Sequence, residues 1–198
     1  MTAANPATAG ARRSYGRAVH ATTPRLVLRP FTAADGAALH AYLGLAEVVR
    51  FEPYGPVTRD GAEREAARRA GDPRFVAAVR REDDVLVGHV YCAPEGPPAW
   101  RTWAVGYVFD PRYGGVGYAT EATRAVVDHC FRAEGAHRVV AGCDPRNERS
   151  WRLLERLGMR REGHERRCAS FEDDADGRPV WHDAYRYAVL AQEWVTAG

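Results

Sequence analysis

Apolar and polar residues follow two different periods along the first half of the chain. They alternate in residues 25–29, which predicts a short strand, and an Ala- and Leu-rich stretch predicts a helix from about Asp35 to Leu43. Pro53 to Pro56 then break the chain, and Thr58 caps a second predicted helix. Short polar turns, typical of antiparallel hairpins, join the next three predicted strands, at 75–80, 85–92 and 100–109.

The second half of the chain alternates helices with strands. A helix is predicted from about Gly117 to Glu134, because Ala119, Ala122, Val126 and Cys130 recur every three or four residues. Next come a strand, a helix ended by a glycine, and two last strands, predicted at 138–143, 148–157, 160–168 and 180–190. Antiparallel strands followed by strand–helix units indicate a single α+β domain with a mixed sheet.

Length and composition limit where the chain works. Its 198 residues suit one domain, which we place at residues 24–198. Residues 1–23 are small, polar and dotted with arginine, and we predict a mobile tail there. The tail lacks the apolar stretch of a signal peptide, and nowhere do about 18 apolar residues occur in a row. We therefore expect a cytoplasmic protein with no membrane partner.

Charged residues and cysteines exclude several chemistries. All 28 basic residues are arginine, so a Schiff-base lysine, a lysine base and a phosphate-loop lysine are impossible. The net charge of +2 gives no sign of the basic surface of a nucleic-acid binder, and we expect no such partner. The four cysteines form no CxxC pair, so we expect free thiols and no metal.

A glycine-rich loop joins a predicted strand to a predicted helix. Phe109 ends the strand, Pro111 breaks it, and Gly114, Gly115 and Gly117 lead into the helix. Such a loop exposes the first N–H groups of the helix, which attract an anion such as pyrophosphate. A dinucleotide fold fits less well, because its glycines follow the strand almost at once and usually open the domain.

Two sequence blocks resemble the GNAT superfamily of acetyl-CoA-dependent N-acyltransferases. Residues 112–117 match its pyrophosphate signature, which is Arg or Gln, two residues, Gly, one residue, then Gly or Ala. Residues 144–159 resemble the Asn-x-x-Ser…Leu-Gly-Met helix of the branch that includes ribosomal-protein N-terminal acetyltransferases. Residues 26–50 are similar to that branch's opening strand and first helix, and residues 181–187 resemble its last strand. The resemblance implies a mostly antiparallel mixed sheet flanked by helices, with splayed central strands that hold the pantetheine of CoA.

The resemblance also implies a site for acetyl-CoA as co-substrate. The backbone groups of Tyr107, Val108 and Phe109 would meet the pantetheine and the acyl carbonyl. Asn147 would bond the pantetheine and Ser150 would protonate the departing thiolate, although an N-cap and a backbone-bonded serine are their structural alternatives. The pyrophosphate would lie against Arg112, Tyr113, Gly114, Gly115, Val116, Gly117, Tyr118 and Ala119.

The catalytic base is the clearest departure from the family pattern. Many relatives carry a glutamate two residues before the Gly-Tyr of the central strand, where this chain has Ala104. His89 on the neighbouring predicted strand is a candidate base, because imidazole titrates near neutral pH. Without a base, we expect amines that are partly neutral at pH 7, such as α-amines with a pKa of about 7.7–8.0.

The amine acceptor is expected between residues 45–57 and 170–181. Phe51, Glu52, Tyr54 and Trp181 are the predicted substrate-binding residues, and the acidic stretch at 172–176 is either a cation-attracting edge or a solvated turn. We therefore expect an N-acetyltransferase acting on a primary amine of a protein, a peptide or a small molecule, as a monomer or homodimer. An acyl-CoA sensor without turnover and a transferase with another acyl donor remain the alternatives.

Overall fold

Eight strands form one sheet in the computed structural model, which describes residues 17–194. The sheet order is β1-β2-β3-β4-β5-β6-β8-β7. The strands are β1 (Ala21–Thr22), β2 (Leu26–Pro30), β3 (Phe75–Arg80), β4 (Leu86–Glu95), β5 (Thr102–Phe109), β6 (Arg138–Cys143), β7 (Arg160–Asp173) and β8 (Pro179–Leu190). The helices are α1 (Gly36–Leu43), α2 (Ala46–Val49), α3 (Arg59–Ala70), α4 (Tyr118–Arg132) and α5 (Glu148–Arg156).

The two faces of the sheet bury different helices, as β3 illustrates. Val76 and Ala78 pack in one core with residues of α4 and α5. Ala77 and Val79 pack in the other core with residues of α1 and α3. Successive side chains of a strand point to opposite faces, so a nearly continuous apolar strand between two helical layers is expected. The α+β architecture with a mixed, mostly antiparallel sheet is thereby confirmed.

Most predicted elements agree with the structure to within a few residues. The bounds of β3 and β6 are those predicted, and Thr58 caps α3 by accepting a hydrogen bond from Gly61 N–H at 3.1 Å. The sequence analysis missed β1 and α2, which have two and four residues. Elements this short do not complete a recognisable hydrophobic period.

The start of the folded domain differs from the prediction of a tail over residues 1–23. Residues 1–16 lie outside the described part of the chain, but residues 17–23 are structured. Val19 is 2% exposed in the core, and Ala21 pairs with Leu28 across β1 and β2. Pairing with β2 and burial of one valine are contacts that the small, polar character of this segment does not reveal.

The central strands separate at one end, as the resemblance implied. Strands β5 and β6 run parallel but pair only from Thr102 and Arg138 to Ala104 and Val140. Beyond that point β5 pairs with β4 alone as far as Phe109, and β6 pairs with β8 alone. The facing edges therefore leave backbone N–H and C=O groups without a strand partner. The largely antiparallel sheet also excludes the parallel dinucleotide fold.

The cysteines are free thiols, and the described residues contain neither a metal-binding group nor a membrane-spanning helix. Cys92, Cys130 and Cys143 are buried, and Cys168 is exposed; all four are free. Within residues 17–194 no three acidic, cysteine or histidine side chains are grouped to hold a metal. Helices of that same part of the chain are too short or too polar to cross a bilayer.

Candidate active site

The glycine loop presents a row of backbone N–H groups at the open end of β5. Asp110 caps a single 3-10 turn, and Gly115 and Gly117 follow with φ of 82° and 94°. Only glycine adopts these angles without strain. The first helical hydrogen bond of α4 runs from Glu121 N–H to Gly117 C=O. Within the described residues, the six amides from 115 to 120 donate to no protein acceptor, and they form a cradle suited to an anion.

The side chain of the signature arginine, Arg112, is 58% exposed but is bound by Asp110. Its Nε lies 2.9 Å from Asp110 Oδ1 and its Nη2 lies 2.5 Å from Asp110 Oδ2. Nη2 also donates to the Ala41 carbonyl of α1 at 3.3 Å. Asp110 is 1% exposed, so its carboxylate largely balances the guanidinium charge. Attraction of an anion to this loop therefore depends mainly on the backbone amides, and Arg112 joins the loop to α1.

A second arginine, Arg25, braces the same loop, and sequence reasoning missed it. Its Nη1 donates to the Val116 carbonyl at 2.7 Å. Glu121, in the first turn of α4, accepts hydrogen bonds from Arg25 N–H at 2.9 Å and from Thr23 Oγ1 at 2.6 Å. Burial opposes ionisation of Glu121, but these bonds outweigh it and hold the pKa of that carboxyl below its ordinary value. No local pattern signals a contact between residues about 90 positions apart.

Asn147 and Ser150 meet Tyr107 where the central strands separate. Asn147 is the N-cap of α5, and its side-chain oxygen accepts from Ser150 N–H at 3.2 Å. Tyr107 OH lies 3.0 Å from both the carbonyl oxygen and the Oγ of Ser150. A carbonyl only accepts, so both bonds form when Tyr107 donates to the carbonyl and the Ser150 hydroxyl donates to Tyr107. Burial raises the pKa of Tyr107, which keeps this phenol protonated.

His89 lies in the other core and apart from this hydroxyl pair. It is 3% exposed, and its Nδ1 is 2.8 Å from Tyr42 OH. The rings of Phe31 and Phe75 surround it at centroid distances of 6.0 and 6.2 Å. Burial and the nearby Arg69 hold the pKa of His89 well below its ordinary value. This packing gives His89 a structural role, so we do not retain it as a catalytic base.

Ala104, which stands where many relatives carry a glutamate, is also buried. Ala104 is 3% exposed and packs with Val140 and Ala188 in a small separate cluster. Its methyl group cannot accept a proton from an amine.

A pocket of about 220 Å³ lies between the α2 loop and the β7–β8 hairpin. It is lined by three of the four predicted substrate-binding residues, Phe51, Glu52 and Tyr54. Trp181 does not line it and is 48% exposed, whereas its neighbour His182 does. Adjacent strand residues point to opposite faces, so only one of this pair can face the pocket.

Two glutamates line the pocket, Glu52 and Glu172. Burial raises the pKa of Glu52, while Glu172 is 68% exposed. The ring of Phe51 is contacted by the guanidinium groups of Arg50 at 5.3 Å and Arg146 at 5.7 Å. Phe51 therefore serves as a packing surface for two arginines through cation–π contacts.

A chain of polar contacts reaches the pocket from the end of β6. Arg146 is bound by Asp144, with Nε 2.9 Å from Oδ1 and Nη2 2.7 Å from Oδ2. Burial opposes ionisation of Asp144, but the Arg146 guanidinium outweighs it and lowers the pKa of that carboxyl. Arg146 Nη2 donates to His182 Nδ1 at 3.0 Å, and the imidazole stacks on Phe171 at 5.5 Å. Sequence reasoning missed His182, although it lies beside Trp181.

Comparisons with known proteins agree with this geometry. Residues 25–160 match the family model described as the acetyltransferase (GNAT) domain. The chain is 34% identical over 178 residues to an uncharacterized N-acetyltransferase, YnaD, of Bacillus subtilis, covering 89% of this chain and 99% of that protein. It is 31% identical over 90 residues to the [ribosomal protein uS5]-alanine N-acetyltransferase of Escherichia coli, covering 46% and 43%.

A solved structure extends the agreement to three dimensions. The crystal structure of a GNAT-family acetyltransferase from Bacillus anthracis has a TM-score of 0.80 and 30% identity, and the match covers 88% of this chain and all of the other. The glycine loop, the separated strands and these matches lead to one conclusion: the chain belongs to the GNAT family of N-acetyltransferases.

Proposed function

We propose that this protein transfers the acetyl group of acetyl-CoA to a primary amine by direct attack of the amine. The observation that carries the proposal is the unpaired edge of β5 beside six partnerless amides of the glycine loop. A pantetheine arm needs backbone partners along its length and a pyrophosphate needs N–H donors, and this arrangement supplies both. The donor therefore has a matching surface in the chain's own backbone.

The donor would lie along β5 and end at the loop. Backbone groups of Tyr107, Val108 and Phe109 would bond the pantetheine, and the amides from Gly115 onward would bond the pyrophosphate. The fit is supported by open space at Gly115, where an added Cβ would meet no atom within 4 Å. Asn147 would add a bond from its side-chain NH₂, because only its oxygen is used as the helix cap.

Two groups of the chain would act on the thioester that acetyl-CoA supplies. Backbone N–H groups near Val108 would stabilise the negative charge that develops on the acyl oxygen. The Ser150 hydroxyl would donate its proton to the departing sulfur, and Tyr107 would hold that hydroxyl in place. The support for this role is the 3.0 Å contact between the two hydroxyls at the strand opening.

The pocket beside the loop of residues 51–56 would bind the amine acceptor. Glu52 and Glu172 would attract its ammonium form, and the raised pKa of Glu52 suits a carboxylate that takes a proton from the amine. The identity of the acceptor is set by contacts in this pocket. Since Ala104 provides no base, amines that are partly neutral at pH 7 remain the expected class.

A thiol-release assay with acetyl-CoA tests the proposal across peptides, amino acids, polyamines and aminoglycosides. We expect turnover with at least one low-pKa amine. Ser150→Ala should lower kcat by about 10²–10⁴-fold while the Kd of acetyl-CoA changes little, as expected for loss of a general acid.

The control separates an enzyme from a sensor. Calorimetry with acetyl-CoA measures donor binding without requiring an acceptor. Tight binding together with no turnover for any amine would favour the acyl-CoA sensor, and failure to bind acetyl-CoA would refute the donor site itself. Titration with longer acyl-CoAs tests the remaining alternative, another acyl donor.

A further inference from the structure

The imidazole of His182 is fixed in one tautomer by its neighbours. Arg146 Nη2 lies 3.0 Å from His182 Nδ1, and a guanidinium can only donate hydrogen bonds. His182 Nδ1 must therefore be the acceptor, so a neutral ring carries its proton on Nε2. Asp144 holds Arg146 in place through three hydrogen bonds, and Phe171 stacks on the ring with an interplanar angle of 22°.

The resulting Nε2–H has no hydrogen-bond partner within residues 17–194. Among the described residues that line the pocket, His182 Nε2 is the one buried polar atom without a hydrogen bond. Its nearest charged group is Glu172 Oε1 at 3.6 Å, which is beyond hydrogen-bond distance. A buried donor without an acceptor is costly, so this atom marks a place where a ligand oxygen would be favoured.

We propose that His182 is a specificity-determining residue whose Nε2–H binds an oxygen atom of the acceptor. The inference rests on the proposed function, and it narrows the substrate class to amines with a carbonyl or hydroxyl oxygen near the reacting nitrogen. Glu52 and Glu172 meet the ammonium that every amine shares, whereas His182 meets an oxygen that simple alkylamines and polyamines lack. Peptide-type carbonyls and sugar hydroxyls are the two sources of that oxygen.

Three small acceptors with amines of similar acidity separate these cases. L-alaninamide carries a carbonyl oxygen, D-glucosamine carries hydroxyl oxygens, and propargylamine carries no oxygen. For His182→Phe, which keeps the stacking on Phe171, we expect the kcat/KM ratio of an oxygen-bearing substrate to propargylamine to fall about 10- to 100-fold, because the bound oxygen loses its hydrogen-bond donor. His182→Gln, which restores an N–H donor, should recover part of that ratio. A fall for alaninamide alone identifies a carbonyl, and a fall for glucosamine alone identifies a hydroxyl.

Glu172→Gln is the matched control. It removes a charge that attracts all three ammonium groups, so it should lower their kcat/KM values together and leave the ratios unchanged. Equal losses for the three acceptors in His182→Phe would overturn the inference, as would ratios that do not change. A ratio change in Glu172→Gln that equals the one in His182→Phe would also overturn it, because Glu172 would then be the partner of Nε2.

A readout without turnover tests the same inference. The imidazole ¹⁵N shifts of His182, assigned by comparison with His182→Phe, report which nitrogen carries the proton. We expect a proton on Nε2; a neutral ring with its proton on Nδ1 would refute the inference even in an inactive protein. Absence of turnover with a confirmed Nε2–H tautomer would instead refute the proposed function.

Discussion

Gly117 offers the most direct test of the glycine loop. It begins α4 with φ of 94°, and a Cβ added there would lie 3.4 Å from Arg25 Nη2, an ordinary contact. The cost of Gly117→Ala is therefore backbone strain rather than collision, about 1–2 kcal/mol for an L-residue in this region. The folded protein can either keep this strain or release it by moving the loop amides, so stability or donor binding must suffer.

Two measurements cover both outcomes. Retained strain lowers the free energy of unfolding by about 1–2 kcal/mol, or Tm by roughly 2–8 °C for a chain of this size. Released strain weakens acetyl-CoA binding by roughly 5- to 30-fold in calorimetry. Gly55→Ala is the matched control, because Gly55 has open space around its Cβ position and lies outside the left-handed region. Wild-type values for both quantities in Gly117→Ala would refute the account of the loop.

Three further predictions concern groups inside the fold. Tyr107→Phe removes both hydrogen bonds to Ser150, so the free energy of unfolding should fall by about 1 kcal/mol. Its kcat should fall less than that of Ser150→Ala, because the Ser150 hydroxyl is the proposed proton donor. His89→Phe leaves the buried Tyr42 hydroxyl without its hydrogen-bond partner, so the free energy of unfolding should fall by about 1–3 kcal/mol. Adding Tyr42→Phe should recover most of that loss. Because burial depresses the folded pKa of His89, its contribution to stability is present above the unfolded value of about 6.5 and is lost as pH falls; the double variant should lack this pH dependence in denaturation curves. Glu121 also has a lowered folded pKa, so Glu121→Gln should flatten the decline in unfolding free energy below about pH 4.3; an unchanged acid limb would contradict the bonds described for that carboxylate.

Local sequence was sufficient where a feature depends on neighbours along the chain. The period of apolar residues predicted β3, β6 and α4, and the cap of α3 followed from Thr58 alone. The glycines of the loop predicted its exposed amides, because a positive φ is a property of single residues. The resemblance supplied the separation of β5 from β6, which composition and periodicity do not encode.

The pocket proposed for the amine acceptor was predicted only in part from the sequence. Phe51, Glu52 and Tyr54 were predicted to share a site because the resemblance places the amine acceptor near residues 45–57, and all three line the pocket. Trp181 was predicted and His182 was not, yet strand alternation turns His182 toward the pocket and Trp181 away. Which face of β8 meets the pocket depends on how β8 pairs with its neighbours, including β6, whose partner residues are about 40–50 positions away.

The sequence by itself determined that the chain folds as an α+β domain with a glycine loop before a helix, and that no lysine can take part in its chemistry because it has none. Only the tertiary structure decided what each charged side chain faces. It binds Arg112 to a buried Asp110, places Arg25 under the loop and encloses His89 in an aromatic core. The physical reason is that propensity and periodicity act over a few residues, whereas burial and pairing of charge depend on segments that meet only after folding.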